Sequence, residues 1–445
     1  MDEQTERLLG VANRLIEAAR KAGADTADTA VVRSASRSVS VRLGAVEETE
    51  SAESEDVALR VFVGRRNATV SADASVDAAR LAERAVAMAR VSPEDPFAGL
   101  ADATLLSQQS LDLNLFDATE IASDAMLEDA LAMEAAALAV PGVTNSSGAG
   151  VSAGWSGLVL ATSTGFSGSQ RRSGFSRSVS VIAGEGVKMQ RDYDFDSRIH
   201  FADLDAAEAI GRRAGERAVG RLNPGKAATG RMPVIFDPRV ARGFIGHLLG
   251  AINGASVARK TSFLKDRMGD LILPEGVSIV DEPLLERRPG SRPFDGEGIR
   301  GQALPLIEEG RLRNWLLDSA TARELGLSTN GRASRSSSGV SPSSTNVVVT
   351  PGSKTPEALI RETGRGLYIT ELIGHGVNLV TGDYSRGASG FLIENGELGA
   401  PVSELTIAGN LKDLYRTMTL ADDLDTRFSI VAPTLRLESM MVAGG

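Results

Sequence analysis

Cysteine is missing from this 445-residue sequence, which removes disulfides, iron–sulfur clusters and thiolate zinc sites and fits a reducing cytosol. Histidine is almost missing: His200, His247 and His375 are the only three, and no H-x-H or H-E-x-x-H joins them. Aromatic residues make up 4 %, so the core must rest on Val, Leu, Ile and Ala. No apolar run reaches the roughly 18 residues a membrane helix needs. No basic patch interleaved with aromatics interrupts the net charge of −10, which argues against nucleic acid as a partner. The opening residues, MDEQTERLL, are acidic and lack the apolar stretch of a signal peptide. These absences predict a cytoplasmic protein with no membrane segment. The 42 % hydrophobic and 24 % charged content is ordinary for a globular chain, and the length allows about three domains.

Taken in order, residues 5–22 place Leu8, Leu9, Ala12, Leu15, Ile16 and Ala19 at helical spacing before Gly23. Val39, Val41 and Leu43 then alternate with Ser38, Ser40 and Arg42. Residues 57–63 and 68–71 flank Gly64-Arg65-Arg66-Asn67 as a hairpin. A helix over 76–90 follows. Ser92-Pro93-Glu94-Asp95-Pro96 reads as a linker, because each proline pushes its predecessor out of helix. Asp117-Ala118-Thr119-Glu120 resembles a capping box opening an Ala-rich helix to Val140. Residues 143–200 alternate with period two, as antiparallel strands do, and residues 205–222 are helical again.

The expected fold class is α+β. An N-terminal domain of helices and β-hairpins covers 1–92, a linker 93–114, a helix–antiparallel sheet–helix domain 115–224, and a β-rich C-terminal domain 230–445. Within the last, turn signals such as Asp295-Gly296, Asn330-Gly331 and Asn395-Gly396 separate short strands. The Ser-rich stretch 334–344 reads as a mobile loop near a site or partner.

Several short patterns dissolve on inspection. Gly150-Val151-Ser152-Ala153-Gly154 fits G-x-S-x-G but continues into sheet instead of a helix, so it reads as a turn, not a nucleophile elbow. GRLNPGK at 220–226 nearly spells a phosphate loop, yet Ala227 replaces the hydroxyl that would meet Mg²⁺. Gly296-Glu297-Gly298-Ile299-Arg300-Gly301 leads into no helix. Phe294-Asp295-Gly296-Glu297-Gly298 reads as a solvated carboxylate–glycine turn.

Residues 234–266 carry the sharpest pattern. A short strand, Val234-Ile235-Phe236, runs into Asp237-Pro238, an N-cap and first-turn proline. Val240, Phe244, Leu248, Ala251 and Ile252 form one apolar face, and Asn253-Gly254 stops the helix. Arg242, Gly243 and His247 occupy the places where an HExxxH metalloprotease helix carries its first His, its Glu and its second His. Arg242 is a permanent cation and cannot ligate zinc, and Gly243 cannot act as a base. His247 sits at the edge of the apolar face, as a histidine at a core margin or interface does. Further on, Asp383, Tyr384, Ser385 and Arg386 fall on a glycine-bordered loop ahead of a hairpin. Their donors and acceptors suit either gripping a peptide backbone or tying the loop to itself.

Motifs along nearly the whole chain resemble one family. They are Val41-Arg42-Leu43-Gly44-Ala45-Val46-Glu47, Ser92-Pro93-Glu94-Asp95-Pro96 and Gly254-Ala255-Ser256-Val257-Ala258-Arg259-Lys260-Thr261-Ser262-Phe263-Leu264. Pro293-Phe294-Asp295-Gly296-Glu297-Gly298, the block 383–396 and Ile407-Ala408-Gly409-Asn410-Leu411-Lys412-Asp413 complete them. In this order they resemble the TldD/PmbA group of bacterial peptidase subunits, in its PmbA (TldE) branch.

The resemblance implies a heterodimer whose TldD-type subunit carries zinc on HExxxH and a distant cysteine, while the PmbA-type subunit carries neither. This chain departs from the TldD pattern at Arg242 and Gly243 and in its lack of cysteine; only His247 survives. No catalytic or metal-ligating role passes to it, and zinc is expected in the partner subunit. The implied activity is proteolysis of unstructured peptides, including leader peptides of ribosomally made modified peptides. Such substrates would enter a chamber between the subunits and pair there as an added strand. The competing reading is a non-enzymatic binding or modulator protein, a homodimer acting on other partners, and a third is a metal-free hydrolase using Asp383 or His375.

Overall fold

Two runs of helix, three strands, helix fill the first half of the computed structural model, which describes residues 3–109 and 111–444. The first run is α1 (Glu3–Ala22), β1 (Thr26–Arg42), β2 (Ala45–Val63), β3 (Arg66–Asp73) and α2 (Ala78–Val91). The second is α3 (Ser123–Leu138), β4 (Val143–Thr162), β5 (Ser167–Ala183), β6 (Gln190–Arg198) and α4 (Ala207–Gly220). β1 and β4 pair antiparallel from Asp28 opposite Thr162 to Val41 opposite Ala149, which joins both runs into one six-stranded sheet, β3-β2-β1-β4-β5-β6. The repeat is structural, with no fixed sequence period to announce it.

Side chains alternate across this sheet. One face puts Ala27, Val31, Val57, Leu59, Val61 and Val159 under α1 and α2, and Val39, Val41, Val151, Val179 and Val181 under α3 and α4. Between the helix pairs the strands are polar, and a groove of about 500 Å³ opens over Arg33, Arg37, Glu53 and Trp155.

Two local expectations are corrected here. α3 starts at Ser123 with Ala122 as an N-cap that makes no side-chain bond. Asp117 instead accepts from the Thr119 and Phe201 amides at 2.9 Å, fastening the linker to the end of β6. The stretch 150–154 lies inside β4, not in a turn.

In the second half come β7 (Gly230–Phe236), α5 (Pro238–Ala251), α6 (Gly254–Ala258), β8 (Ile279–Asp281), β9 (Leu304–Glu308), β10 (Arg311–Leu312) and α7 (Ser319–Glu324). Then follow β11 (Ala333–Ser336), β12 (Gly339–Pro342), β13 (Val347–Val349), α8 (Pro356–Thr363) and β14 (Gly366–Ile373). The last elements are β15 (Asp383–Glu394), β16 (Glu397–Asn410), α9 (Leu411–Arg416), β17 (Thr419–Leu420), β18 (Ile430–Val431) and β19 (Leu435–Gly444). β16 pairs with both β15 and β19, so β7, β14, β15, β16 and β19 close into a ring. Asn395 and Gly396, both at positive φ, make the tight turn between β15 and β16. A second sheet runs β10-β9-β8-β13-β18.

The apolar face of α5 is buried in the core that joins ring residues Leu367, Ile369 and Leu435 to Ile279, Leu306 and Val347 of the second sheet. The Ser-rich stretch is an ordered hairpin, β11–β12, whose tip accepts a hydrogen bond from Ser71 Oγ at 2.9 Å through the Ser337 carbonyl. No helix among the described residues is long and apolar enough to cross a membrane.

Candidate functional site

Asp237 anchors α5. Its Oδ1 accepts from the Arg239 amide at 2.9 Å and its Oδ2 from the Tyr368 hydroxyl at 3.0 Å. Phe244 then packs edge-on against Phe236 and at a tilt against Tyr415, whose hydroxyl donates to the Phe244 carbonyl at 2.8 Å. The helix ends at Ala251, and Asn253 restarts the chain as the N-cap of α6, accepting from Ala255 at 3.0 Å. The positions of chemical interest lie away from this packed side.

Arg242 stacks its guanidinium 3.3 Å from the Phe428 ring centroid, with Asp425 near by. Gly243 is exposed, and a Cβ there would meet no heavy atom within 4 Å. His247 is half-buried, edge-on to Tyr384 at 6.0 Å. Burial, aided by the Arg386 charge, pushes its imidazole below the usual 6.5, so it is neutral at pH 7.

Asp383, Tyr384, Ser385 and Arg386 do lie near α5, but they open strand β15 and are not a loop. Alternation therefore splits them. Tyr384 turns inward against Phe244 and His247, 1 % exposed, and its hydroxyl has no hydrogen-bond partner among the described residues. Asp383 and Ser385 face out. Asp383 accepts from Thr381 Oγ1 at 2.6 Å and Asn410 Nδ2 at 3.1 Å, which hold its carboxyl below the usual range. Arg386 Nε donates to the Ile373 carbonyl at 3.3 Å.

These side chains do not fit a zinc ion. The neighbours of His247 are a phenol ring and a cation, and Arg242 points to Phe428 instead of toward His247. His375 is exposed on the segment before β15. His200 lies at the end of β6, its Nε2 2.9 Å from the Asn114 carbonyl. Among the described residues no three His, Asp or Glu side chains gather in a metal-ligating group.

The segment Phe294–Gly298 is the larger surprise. It is not solvated: Asp295 and Glu297 are 2 % and 3 % exposed. Asp295 Oδ1 accepts from the Glu297 and Ile299 amides at 2.9 Å, and Oδ2 from Ala333 at 3.0 Å. Phe294 and Ile299 share an apolar cluster with Ala30, Leu160 and Phe166 of the first sheet.

Arg60 of β2 bonds Asp28 and lies 3.7 Å from Glu297, while Arg335 of β11 meets Asp28 at 2.9 Å. Burial alone would raise the Asp28 carboxyl, but Arg335 and Arg60 outweigh it and hold it at about 2. Burial, aided by the Asp295 charge, pushes Glu297 up to about 7, and the more distant Arg60 and the Ser319 amide at 2.9 Å offset this only in part. This segment is a latch between the two halves. The one hint in sequence was a lone Arg60 inside the apolar run 57–63; its partners come from distant stretches, so no local pattern shows them.

In this fold α5 packs beside a closed strand ring and carries Arg242, Gly243 and His247 outside its buried face. Sequence-family models match three parts of the chain: PmbA/TldA metallopeptidase domain 1 matches residues 27–89, the central domain 116–222 and the C-terminal domain 229–444. The chain is 40 % identical to the metalloprotease PmbA of Escherichia coli O157:H7, covering 94 % of this chain and 92 % of that one. It is 39 % identical to a metalloprotease PmbA homolog of Haemophilus influenzae, covering 99 % and 97 %.

A Bacteroides thetaiotaomicron crystal structure, described as a candidate modulator of DNA gyrase, superposes with a TM-score of 0.91 at 26 % identity over 98 % and 99 % of the chains. TldE from Thermococcus kodakarensis shares the fold, with a TM-score of 0.85 at 23 % identity over 97 % and 99 %. The chain belongs to the PmbA/TldD metalloprotease family, in its PmbA (TldE) branch.

Proposed function

We propose that this chain is the non-catalytic subunit of a cytoplasmic, two-subunit zinc metallopeptidase acting on unstructured peptides, leader peptides among them. The observation that carries the reading is α5. Its packing face is intact, while the positions where zinc ligation and base catalysis would sit hold a guanidinium stacked on Phe428, a bare backbone and a neutral histidine beside a cation. Zinc would belong to a TldD-type partner, and this half would shape the chamber and hold the peptide. The exposed Asp383 and Ser385 would touch an incoming chain, with the half-buried Arg386 and the buried Tyr384 supporting them from behind.

The test is metal analysis and peptide turnover on the chain alone and co-expressed with a TldD-type subunit. The expectation is zinc and turnover only in the pair; zinc and peptidase activity from the lone chain would overturn the assignment. Asp383→Ala in the reconstituted pair should lower turnover, and unchanged turnover removes that residue from the substrate path. The second reading, a non-enzymatic modulator or homodimer, takes its support from the description of the Bacteroides relative. Failure of the chain to co-elute with any zinc-bearing relative on size exclusion would favour it.

A further inference from the structure

The repeated helix–three strands–helix unit leaves two equivalent strand flanks. β3 pairs with β2 only over residues 56–63, and β6 pairs with β5 only over 175–183. The first halves of β2 and β5 thus each lack a strand on one side. On β5 the chain's own linker runs along that side: the Ser173 amide donates to the Leu115 carbonyl at 3.0 Å, and the Asp117 amide to Ser173 Oγ at 2.8 Å. On β2 no described segment occupies the matching flank, and residues 45–54 are all exposed.

Which backbone groups face the open side follows from one bond. The Glu55 carbonyl accepts from the Ala74 amide at 2.8 Å, so it points away from β1. Backbone direction repeats every second residue, which turns the N–H and C=O of Glu53, Ser51 and Thr49 the same way. Ala35, opposite Glu53, agrees: its carbonyl points to β4, lying against Gly154. Along this flank stand Glu47, Glu48, Glu50 and Glu53, the last 3.7 Å from Arg33, while Glu55 is held by Arg7. Two copies of the chain meeting here would oppose carboxylate to carboxylate, which destabilises cross-strand pairs, whereas an oppositely charged strand is favoured. We propose that residues 47–53 of β2 take an extended, Lys/Arg-rich peptide as a seventh strand, in the manner in which the linker flanks β5. This rests on the reading of unstructured peptides as substrates and narrows them to cationic ones.

The test uses the full chain without a partner subunit. A labelled, unstructured peptide of alternating Lys and Thr, about ten residues long to cover the flank, is titrated by fluorescence anisotropy beside its Glu/Thr counterpart. Hydrogen exchange of residues 45–55 is followed in parallel. The Lys peptide should bind at least about tenfold more tightly, lose affinity as salt rises, and slow exchange at the Thr49, Ser51 and Glu53 amides. Ser51→Pro removes an outward N–H that the sheet does not use; it should weaken binding by about tenfold with an unchanged circular dichroism spectrum. Should that variant misfold, the triple change Glu47→Gln, Glu50→Gln, Glu53→Gln gives the same loss without touching the backbone. No binding, binding without protection of those amides, or equal affinity for both peptides overturns the proposal. Because the assay involves neither zinc nor turnover, its failure leaves the subunit assignment standing, and failure of that assignment is read separately from the metal content of the lone chain.

Discussion

Helix α5 and the 293–298 segment both mark the family, yet they differ in how much change they tolerate. At Gly243 an added Cβ meets nothing within 4 Å, whereas at Gly298, with φ at +88°, it would lie 2.8 Å from the Phe166 ring. α5 is held by its far side, through Phe244 against Phe236 and Tyr415, so the residues on its open side can change without disturbing the fold. In the latch no such division exists. Each polar atom of Asp295 closes a loop, and each apolar group of Phe294 and Ile299 meets the first sheet. On α5 the packed face and the face that carries Arg242, Gly243 and His247 are separate, whereas in the latch every residue packs.

The sharpest way to break this comparison is Asp295→Ala. Three buried amides would lose their acceptor, and buried donors left unmade cost roughly 1–3 kcal/mol each, so destabilisation of about 4 kcal/mol is expected in urea unfolding. A loss below about 1 kcal/mol would mean that the segment does not join the halves. Loosening of the first sheet from the ring, seen as a second unfolding transition, would confirm the role directly.

The next test is one of pH. The folded pKa of Glu297, about 7, lies above its ordinary 4.5, so on raising the pH the unfolded chain releases this proton first. Stability should therefore fall between about pH 4.5 and 7, by on the order of 3 kcal/mol, and then level off. Asp28 has the opposite sign. Its folded pKa of about 2 is below 3.8, so its contribution is complete above pH 3.8 and is lost as the pH drops toward 2. Glu297→Gln should flatten the upper limb and leave the acid limb unchanged; thermal melts from pH 2 to 8 check both. An upper limb that persists in the variant would assign it to another group.

Much of the α+β plan could be read from residues alone, because periodicity and caps are local. Asp237-Pro238 opens α5, and Asn395-Gly396 turns β15 into β16, as those dipeptides require. What could not be read is what depends on contacts between distant stretches. The pairing of β1 with β4, which fuses two units into one sheet, leaves no trace in either strand. Asp295 and Glu297 look like solvated turn residues until Arg60, Ala333 and Phe166 arrive from elsewhere. Asp383 to Arg386 looked like a loop because its glycines are turn residues by composition. Pairing with β16 makes them strand, and alternation then buries Tyr384 while exposing Asp383. Around α5, the sequence showed which side chains stand at the altered positions, but not that Arg242 and His247 face different neighbours.

The smallest expected effect is also the one that isolates the comparison. Gly243→Ala adds a methyl group to an exposed helical position where nothing stands in its way, and removes the backbone entropy that glycine loses on folding. It should stabilise the chain by about 0.5–1 kcal/mol. Gly298→Ala, the same change in composition, forces a left-handed backbone and a contact with Phe166, and should destabilise by about 2 kcal/mol or more. Opposite signs from one chemical substitution would show that the fold does not need the open face of α5 but does need the latch. If Gly243→Ala destabilised the isolated chain, the open side of α5 would have to be part of the packing after all, and the glycine would be there for structural reasons.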